Sequence, residues 1–174
     1  LAQKLIYSQL IAALSVQKVG GHFVCKFFDT FNIITTQIIY LMNCLYKEVT
    51  IFKPYTSRPA NSEKYIVCKY FNGIDNLYLF QLRNILDIWN MYEKNKYRIR
   101  VKSIINYIPQ QFTNQINKFN KFILDEQIKY INYTINIIEN PLSNDDYKEI
   151  TKQQIKNATD WCHKYNIPYR KIEA

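Results

Sequence analysis

The sequence predicts an α/β fold of three strands with flanking helices, followed by an α-helical extension. Up to residue 73, short apolar runs of strand length alternate with apolar stripes at helical spacing, whereas only helical stripes follow. The turn signal Asn72-Gly73 separates the two regions. We therefore expect one part over residues 1–73 and a helical extension over residues 74–174 that packs on it.

The first part reads as helix, strand, helix, strand, loop and strand. The run FVCKFF at residues 23–28 is almost continuously apolar, which is typical of a strand that is covered on both faces. Asp29-Thr30 offers N-cap residue types for the second helix, which would carry Phe31 on its apolar face. The last two strands share a moderate loop and could run antiparallel. The predicted bounds are helices over residues 2–18 and up to about 46, and strands over residues 22–28, 48–52 and 64–71.

The extension reads as a series of helices. Apolar stripes indicate one helix from Leu79 to Trp89, and one long helix or two joined ones over residues 112–138. Ser143 and Asp146 form a capping-box pattern before a last helix. The extension is either a helical appendage that packs on the sheet or a surface for RNA or another partner. The second interpretation depends on a basic strip with an interleaved tyrosine: Lys94, Lys96, Tyr97, Arg98, Arg100 and Lys102.

Composition limits the possible partners. The 174 residues carry a net charge of +9, which favours a polyanion such as RNA, DNA or an anionic membrane surface, or is simply a basic surface. No apolar run is long enough to predict a membrane span. The four cysteines form no C-x-x-C pair, so we expect buried free thiols in a reducing, intracellular compartment. We expect no metal site, because the two histidines and the cysteines lack the spacing of zinc ligands.

Lys26 interrupts the apolar run of the first strand. Side chains alternate along a strand, so Lys26 shares a face with Val24 and Phe28. Desolvation on such a face disfavours the ammonium form, and a neutral lysine can act as a general base. The alternative is a structural lysine whose head group reaches solvent or pairs with a carboxylate.

The second candidate site is the loop before the third strand, within KPYTSRPANSEKYIVCK at residues 53–69. Glu63 stands where this loop joins the strand. The alternative is an ordinary loop in which Glu63 pairs with a lysine. The loop also holds two cations and two hydroxyls, which suit a phosphate or a ribose: Lys53, Ser57, Arg58 and Ser62.

Together the two stretches resemble a known family. GGHFVCKFFDTF (residues 20–31) followed by FKPYTSRPANSEKYIVCKYF (residues 52–71) is similar to the FtsJ-like ribose 2′-O-methyltransferases. The segments FFDTF and TSRPANSE look most like the mRNA cap 2′-O-methyltransferases of eukaryotes and large DNA viruses. The bacterial-type ribosomal RNA enzymes share the K-P…S-R…S-x-E-x-Y skeleton and are less similar elsewhere. The resemblance covers about residues 1–71.

This resemblance implies a Rossmann-like methyltransferase sheet, of which the chain supplies the C-terminal half. It also implies that the last strand lies antiparallel between the two strands that precede it in the chain. The family uses a Lys-Asp-Lys-Glu tetrad and S-adenosylmethionine; Lys26 matches the second lysine and Glu63 the glutamate. The first lysine, the aspartate and the glycine-rich donor loop have no counterpart. We expect them, and most cofactor-binding residues, upstream of Leu1, so the chain alone should be inactive.

The implied function is methylation of a ribose 2′-hydroxyl in RNA, most closely at the first transcribed nucleotides of capped mRNA. The hydroxyl attacks the donor's methyl group, Lys26 takes or shares its proton, and Glu63 orients the lysine. Lys53 and Arg58, with the loop hydroxyls, would contact the RNA. Two alternatives stay open: a ribosomal or transfer RNA 2′-O-methyltransferase, and an inactive RNA-binding or scaffolding subunit. The sequence does not distinguish nucleus, cytoplasm and viral factory.

Overall fold

The computed structural model of the chain describes residues 2–54, 57–94 and 101–170. Within these residues, the first part contains two helices and three strands, and the region after residue 73 contains three more helices. The elements in chain order are α1 (Ala2–Val16), β1 (Phe23–Phe27), α2 (Ile33–Leu45), β2 (Tyr46–Phe52), β3 (Lys64–Phe71), α3 (Asn76–Lys94), α4 (Gln110–Glu139) and α5 (Asn144–Lys164).

The three strands form one antiparallel sheet in the order β1-β3-β2. β3 therefore lies between the two strands that precede it in the chain, as the family resemblance implied. In the β1–β3 pair, Phe27 lies opposite Lys64, and in the β2–β3 pair, Phe52 lies opposite Tyr65. The predicted α/β fold, with three strands, flanking helices and a helical extension, is confirmed.

Helices α1 and α2 cover one face of the sheet and leave the other face open. Cys25 and Ile66 point into the core between the sheet and these helices, where Tyr7 is fully buried. On the opposite face, Val24 is 58% exposed and Lys26 is exposed as well. The prediction that both faces of β1 are covered is therefore wrong for this chain. The apolar run led to this error because Val24 and Phe28, which flank Lys26, are apolar and yet exposed.

Helix α2 begins later than predicted. Its N-cap is Asn32, whose side-chain oxygen accepts a 2.8 Å hydrogen bond from the N–H of Ile34. The prediction that Asp29-Thr30 caps this helix is wrong, because Thr30 is buried and bonds to α4 instead. Phe31 precedes the helix and is exposed, so its predicted place on the apolar face is also wrong.

The loop after β1 is tied to α4 by a reciprocal pair of buried side chains. The Thr30 hydroxyl donates to Oδ1 of Asn120, and Nδ2 of Asn120 donates to the Thr30 carbonyl at 3.0 Å. Both residues are buried, so neither group can exchange its partner for water. This contact anchors the segment that follows Lys26 in the chain.

We expect Asn120→Ala to lower the free energy of unfolding by about 1–3 kcal/mol, because it leaves buried Thr30 groups without a partner. Asn117→Ala, on an exposed position of the same helix, is the matched control and should change stability by less than about 0.5 kcal/mol. Urea unfolding followed by circular dichroism measures both. Equal effects of the two substitutions would contradict the anchoring role.

Helix α3 is held to α1 by a buried tyrosine. The hydroxyl of Tyr7 donates a 2.8 Å hydrogen bond to the Leu82 carbonyl, and its ring centroid is 6.1 Å from that of Trp89. The chain divides into two compact units, Leu1–Tyr130 and Ile131–Ala174, so α3 belongs to the first of them. The domain boundary after residue 73 stays a prediction.

Helix α5 starts with the predicted capping box. The Ser143 side chain accepts from the N–H of Asp146 at 3.2 Å, and the Asp146 carboxylate accepts from the N–H of Ser143 at 3.0 Å. None of the residues of α5 is buried. The helix therefore owes its start to local hydrogen bonds rather than to burial.

Two predictions concern RNA binding by the basic strip and insertion into a membrane. The basic strip from Lys94 to Lys102 falls mainly on residues 95–100, which lie outside the described residues. In the part of the chain that the structure describes, no helix combines the length and apolarity needed to cross a membrane.

Candidate active site

Lys26 and Glu63, the two residues predicted to be catalytic, lie side by side on the open face of the sheet. Nζ of Lys26 is 3.1 Å from Oε2 of Glu63. The strand register explains this contact, because Lys26 lies opposite Tyr65, and Glu63 precedes Tyr65 by two residues and so shares its face. Lys26 and Glu63, which come from two motifs far apart in the chain, therefore form an ion pair.

Tyr65 completes this cluster. Its hydroxyl donates a 2.8 Å hydrogen bond to Oε1 of Glu63, so each carboxylate oxygen has its own donor. The hydrogen bonds from Tyr65 and Lys26 lower the pKa of Glu63, and the same carboxylate raises the pKa of Tyr65. The cluster thus keeps Glu63 as an anion with a defined orientation toward Lys26.

The sequence analysis did not assign a role to Tyr65, although a signal was present. The S-x-E-x-Y skeleton places Tyr65 two residues after Glu63, and a spacing of two puts side chains on the same face of a strand. The missing information was the register, which places Tyr65 opposite Lys26.

Solvent reaches the amino group of Lys26. The side chain is 46% exposed, and its Nζ lies 5.3 Å from the ring centroid of Phe28, at the distance of a cation–π contact. Val24 and Phe28 share its face, as predicted, but the expected desolvation of the ammonium group is not seen in this chain. An open amino group beside an aromatic ring leaves room for a substrate hydroxyl.

Lys53, predicted to contact RNA, directs its ammonium group into its own loop. Nζ contacts the carbonyl oxygen of Asn61, lies 3.2 Å from the carbonyl oxygen of Glu63, and is 3.5 Å from the Ser57 hydroxyl. Burial lowers the pKa of Lys53, against the opposing effect of the nearby Glu63 carboxylate. The structure therefore brings Lys53 and Ser57 together, with the lysine bound to backbone carbonyls.

The other two loop residues predicted to bind RNA lie on either side of a turn. Arg58 is exposed, and its carbonyl accepts a 3.0 Å hydrogen bond from the N–H of Asn61. Ser62 is half-buried, and its carbonyl accepts from the ammonium group of Lys64 at 2.8 Å. Arg58 thus presents a cation to solvent near Glu63 in the chain, and the RNA-binding role of both residues stays a prediction.

A buried lysine lies behind this loop. Lys64 is only 2% exposed, and its Nζ is 5.8 Å from the ring centroid of Phe27. Burial lowers the pKa of Lys64 to about 8; Asp29 opposes this effect and Lys53 adds to it. Lys64 was not predicted as a site residue, since a lysine at the start of a strand ordinarily reaches solvent.

The described residues do not fit a nucleotide-type cofactor. The three glycines are Gly20 and Gly21, before β1, and Gly73, after β3. Among the described residues, no turn from a strand to a helix therefore holds two glycines, the feature that brings backbone N–H groups close to such a ligand. No group of three or more His, Cys, Asp or Glu residues in the described ranges is arranged to hold a metal ion.

Comparison with protein families shows which known proteins share these features. Residues 1–71 match the model of the FtsJ-like methyltransferase family, which covers all three strands and the Lys26–Glu63–Tyr65 cluster. In this part the chain is similar to that family, as the motifs indicated. FtsJ-like methyltransferases generally use S-adenosylmethionine.

Individual curated proteins are similar to the chain over longer stretches than the family model. The chain is 50% identical over 94 residues to cap-specific mRNA (nucleoside-2′-O-)-methyltransferase 1 of Mus musculus, a match over 48% of this chain and 11% of that protein. It is 35% identical over 133 residues to the protein of that name in Danio rerio, over 75% of this chain and 15% of the relative. For cap-specific mRNA (nucleoside-2′-O-)-methyltransferase 1A of Caenorhabditis briggsae, the identity is 31% over 176 residues, 95% of this chain and 19% of that protein.

Two facts follow from these matches. The chain spans between about a tenth and a fifth of the length of these curated relatives. The match to the Caenorhabditis protein also continues through the helical extension, beyond the region that the motifs cover. The extension is therefore similar in sequence to a region of a cap-specific methyltransferase.

Proposed function

We propose that the protein containing this segment methylates a ribose 2′-hydroxyl of RNA, at the first transcribed nucleotide of capped mRNA. The observation that carries this proposal is the cluster of Lys26, Glu63 and Tyr65, which places an accessible amino group beside a well-oriented carboxylate. The names of the relatives support a capped substrate, and the net charge of +9 supports a polyanionic one.

In the proposed mechanism the chain prepares the attacking hydroxyl. S-adenosylmethionine, when bound, supplies an electrophilic methyl group. This chain would handle the proton: the 2′-hydroxyl would give its proton to the amine nitrogen of Lys26, which leaves the 2′-oxygen free to accept the methyl group. The donor's sulfur would keep the electron pair of the broken carbon–sulfur bond. Glu63, itself held by Tyr65, keeps this amine oriented and stabilises the positive charge that Lys26 gains. A general base of this kind contributes about 10²–10⁴-fold to a rate.

We also propose an intracellular site of action. The four cysteines are free thiols, and Cys25 and Cys68 are buried, as predicted, whereas Cys44 is exposed. Unpaired thiols suit a reducing compartment.

The test of the substrate uses a longer protein in which this segment is joined to a donor-binding half. Two RNAs of identical sequence, one with a 7-methylguanosine cap and one with a 5′-triphosphate, are incubated with labelled S-adenosylmethionine. We expect a methyl group on the first nucleotide of the capped RNA alone. Equal methylation of both, or a preference for ribosomal or transfer RNA, favours the second enzyme class. RNA binding without methylation of any substrate favours the inactive subunit.

We expect Arg58→Ala to weaken binding of single-stranded RNA to this chain and to reduce the slope of log affinity against log salt by about 0.7, the value for one lost phosphate contact. Arg83→Ala, which removes an exposed arginine from α3, is the matched control. Fluorescence anisotropy between low and physiological salt measures both variants. An unchanged slope in Arg58→Ala would rule out the phosphate contact.

A further inference from the structure

Two lysine ammonium groups converge on the three backbone carbonyls that precede β3. Nζ of Lys53 contacts the carbonyl oxygen of Asn61 and lies 3.2 Å from that of Glu63. Nζ of Lys64 donates a 2.8 Å hydrogen bond to the carbonyl of Ser62. Three consecutive carbonyls, the last of which belongs to Glu63, are therefore each held by an ammonium group.

These carbonyls lie outside the sheet. The pairing of β3 with β1 reaches Lys64, opposite Phe27, and the pairing with β2 reaches Tyr65, opposite Phe52. Carbonyls outside the ladder bond to other backbone groups, to side chains or to water. Hydrogen bonds from a charged donor are roughly twice as strong as those between neutral groups, so the two lysines restrain the backbone at Glu63 more firmly than solvent would.

The arrangement has an energetic cost. Lys64 is 2% exposed, and its charge lies close enough to Lys53 for the two to repel each other, with Asp29 as an opposing charge. Burial of a lysine and the approach of two like charges both oppose folding. Functional sites are one place where proteins keep groups that oppose folding, and Glu63 of the candidate active site directly precedes Lys64.

We propose that Lys53 and Lys64 are positioning residues for the candidate active site. By holding the carbonyls of residues 61–63, they fix the backbone of Glu63 and so direct its carboxylate toward Lys26 and Tyr65. The claim that this positioning aids catalysis rests on the proposed function. The claim that the two lysines position Glu63 does not depend on that function. In this role Lys53 binds carbonyls of its own loop, whereas the sequence predicted that it contacts RNA.

The test measures the pKa of Glu63 in this chain by ¹³C NMR titration of its carboxyl carbon, assigned with Glu63→Gln. Tyr65, Lys26 and Lys53 act directly to lower this pKa, whereas Lys64 donates to the backbone carbonyl of Ser62. The titration is repeated at high salt, which screens a direct effect of the Lys64 charge and leaves the part that acts through the position of Glu63. We expect Lys64→Met to raise the pKa of Glu63 by about 0.5 or more. Lys64→Arg, which keeps a charged donor, should restore the wild-type value.

Lys69→Met is the matched control, because Lys69 lies on the same strand but pairs with Glu48 at 3.3 Å. It should leave the pKa of Glu63 unchanged. An unchanged value in Lys64→Met, beside a raised value in Lys26→Met, would overturn the proposal. Where Lys64→Met does not fold by circular dichroism, Lys53→Met is used with a readout that does not depend on charge alone, the NOE contacts between the side chains of Glu63 and Tyr65. We expect these contacts to weaken in Lys53→Met, and unchanged contacts would overturn the proposal as well.

A second measurement separates this inference from the proposed function. In the longer, donor-binding protein, Lys64→Met should lower kcat by about 10-fold or more with little change in KM for RNA, since misplacement of a reacting group acts on the chemical step. Lys64→Arg should restore kcat. A wild-type protein without methyl transfer would refute the proposed function but leave the NMR result on Glu63 standing.

Discussion

Replacing Lys26 with alanine should abolish methyl transfer while RNA binding survives. The substitution removes the only amino group that contacts the Glu63 carboxylate within 4 Å among the described residues, and with it the proposed acceptor of the hydroxyl proton. We expect kcat to fall by about 10²–10⁴-fold, measured as transfer of labelled methyl to capped RNA by the longer protein. The affinity for RNA should change by much less, because Lys26 is one of many cations in a chain with a net charge of +9.

Lys69→Ala provides the control for this result. Like Lys26, Lys69 is an exposed strand lysine paired with a glutamate, here Glu48 at 3.3 Å. Its loss removes the same charge from the same sheet and should leave kcat within about 2-fold of the wild type. Turnover by Lys26→Ala at the wild-type rate would disprove the assignment of Lys26 as the base.

Replacing Tyr7 with alanine should lower the free energy of unfolding by about 3–5 kcal/mol. Tyr7 is fully buried and contacts Leu82 and Trp89 of α3, so its removal leaves a large cavity between α1 and α3. It also leaves the Leu82 carbonyl without the hydroxyl that donates to it at 2.8 Å. Chemical unfolding of the chain, followed by circular dichroism, measures the loss.

This prediction tests the connection between the FtsJ-like part and the first helix of the extension. Tyr78→Ala, on α3 at an exposed position, is the control and should change stability by less than about 0.5 kcal/mol. Tyr7→Phe isolates the hydrogen bond and should cost about 1 kcal/mol. A loss in Tyr7→Ala no larger than that in Tyr78→Ala would mean that α3 does not fold against α1.

Local sequence patterns predicted the elements whose boundaries depend on local chemistry. β3 was predicted at residues 64–71, its observed bounds, because a polar loop and the turn Asn72-Gly73 border an apolar run. The capping box at Ser143 and Asp146 was predicted for the same reason. The central position of β3 came from the family resemblance, since hydrophobic periodicity does not specify which strands pair.

Features that depend on contacts between residues far apart in the sequence were not predicted. Thr30 and Asn32 are both good N-cap residues, and only the contact of Thr30 with Asn120 on α4 decides between them. The ammonium group of Lys53 could equally have pointed to solvent, and only the fold of its loop turns it toward the carbonyls of residues 61 and 63. The pairing of Lys26 with Glu63 was predicted from the resemblance, and the register of β1 on β3 supplies its physical reason.

The most direct test of the proposed function is whether the methyl group goes to the ribose 2′-oxygen. Two capped RNAs that differ only at the first transcribed nucleotide, one with a ribose 2′-hydroxyl and one with 2′-deoxyribose, are offered to the longer protein with labelled S-adenosylmethionine. Because Lys26 and Glu63 are proposed to act on that hydroxyl, we predict methyl incorporation at the first nucleotide of the hydroxyl-bearing RNA and none in the deoxy RNA. Equal incorporation into both RNAs, or none into either, would contradict the account.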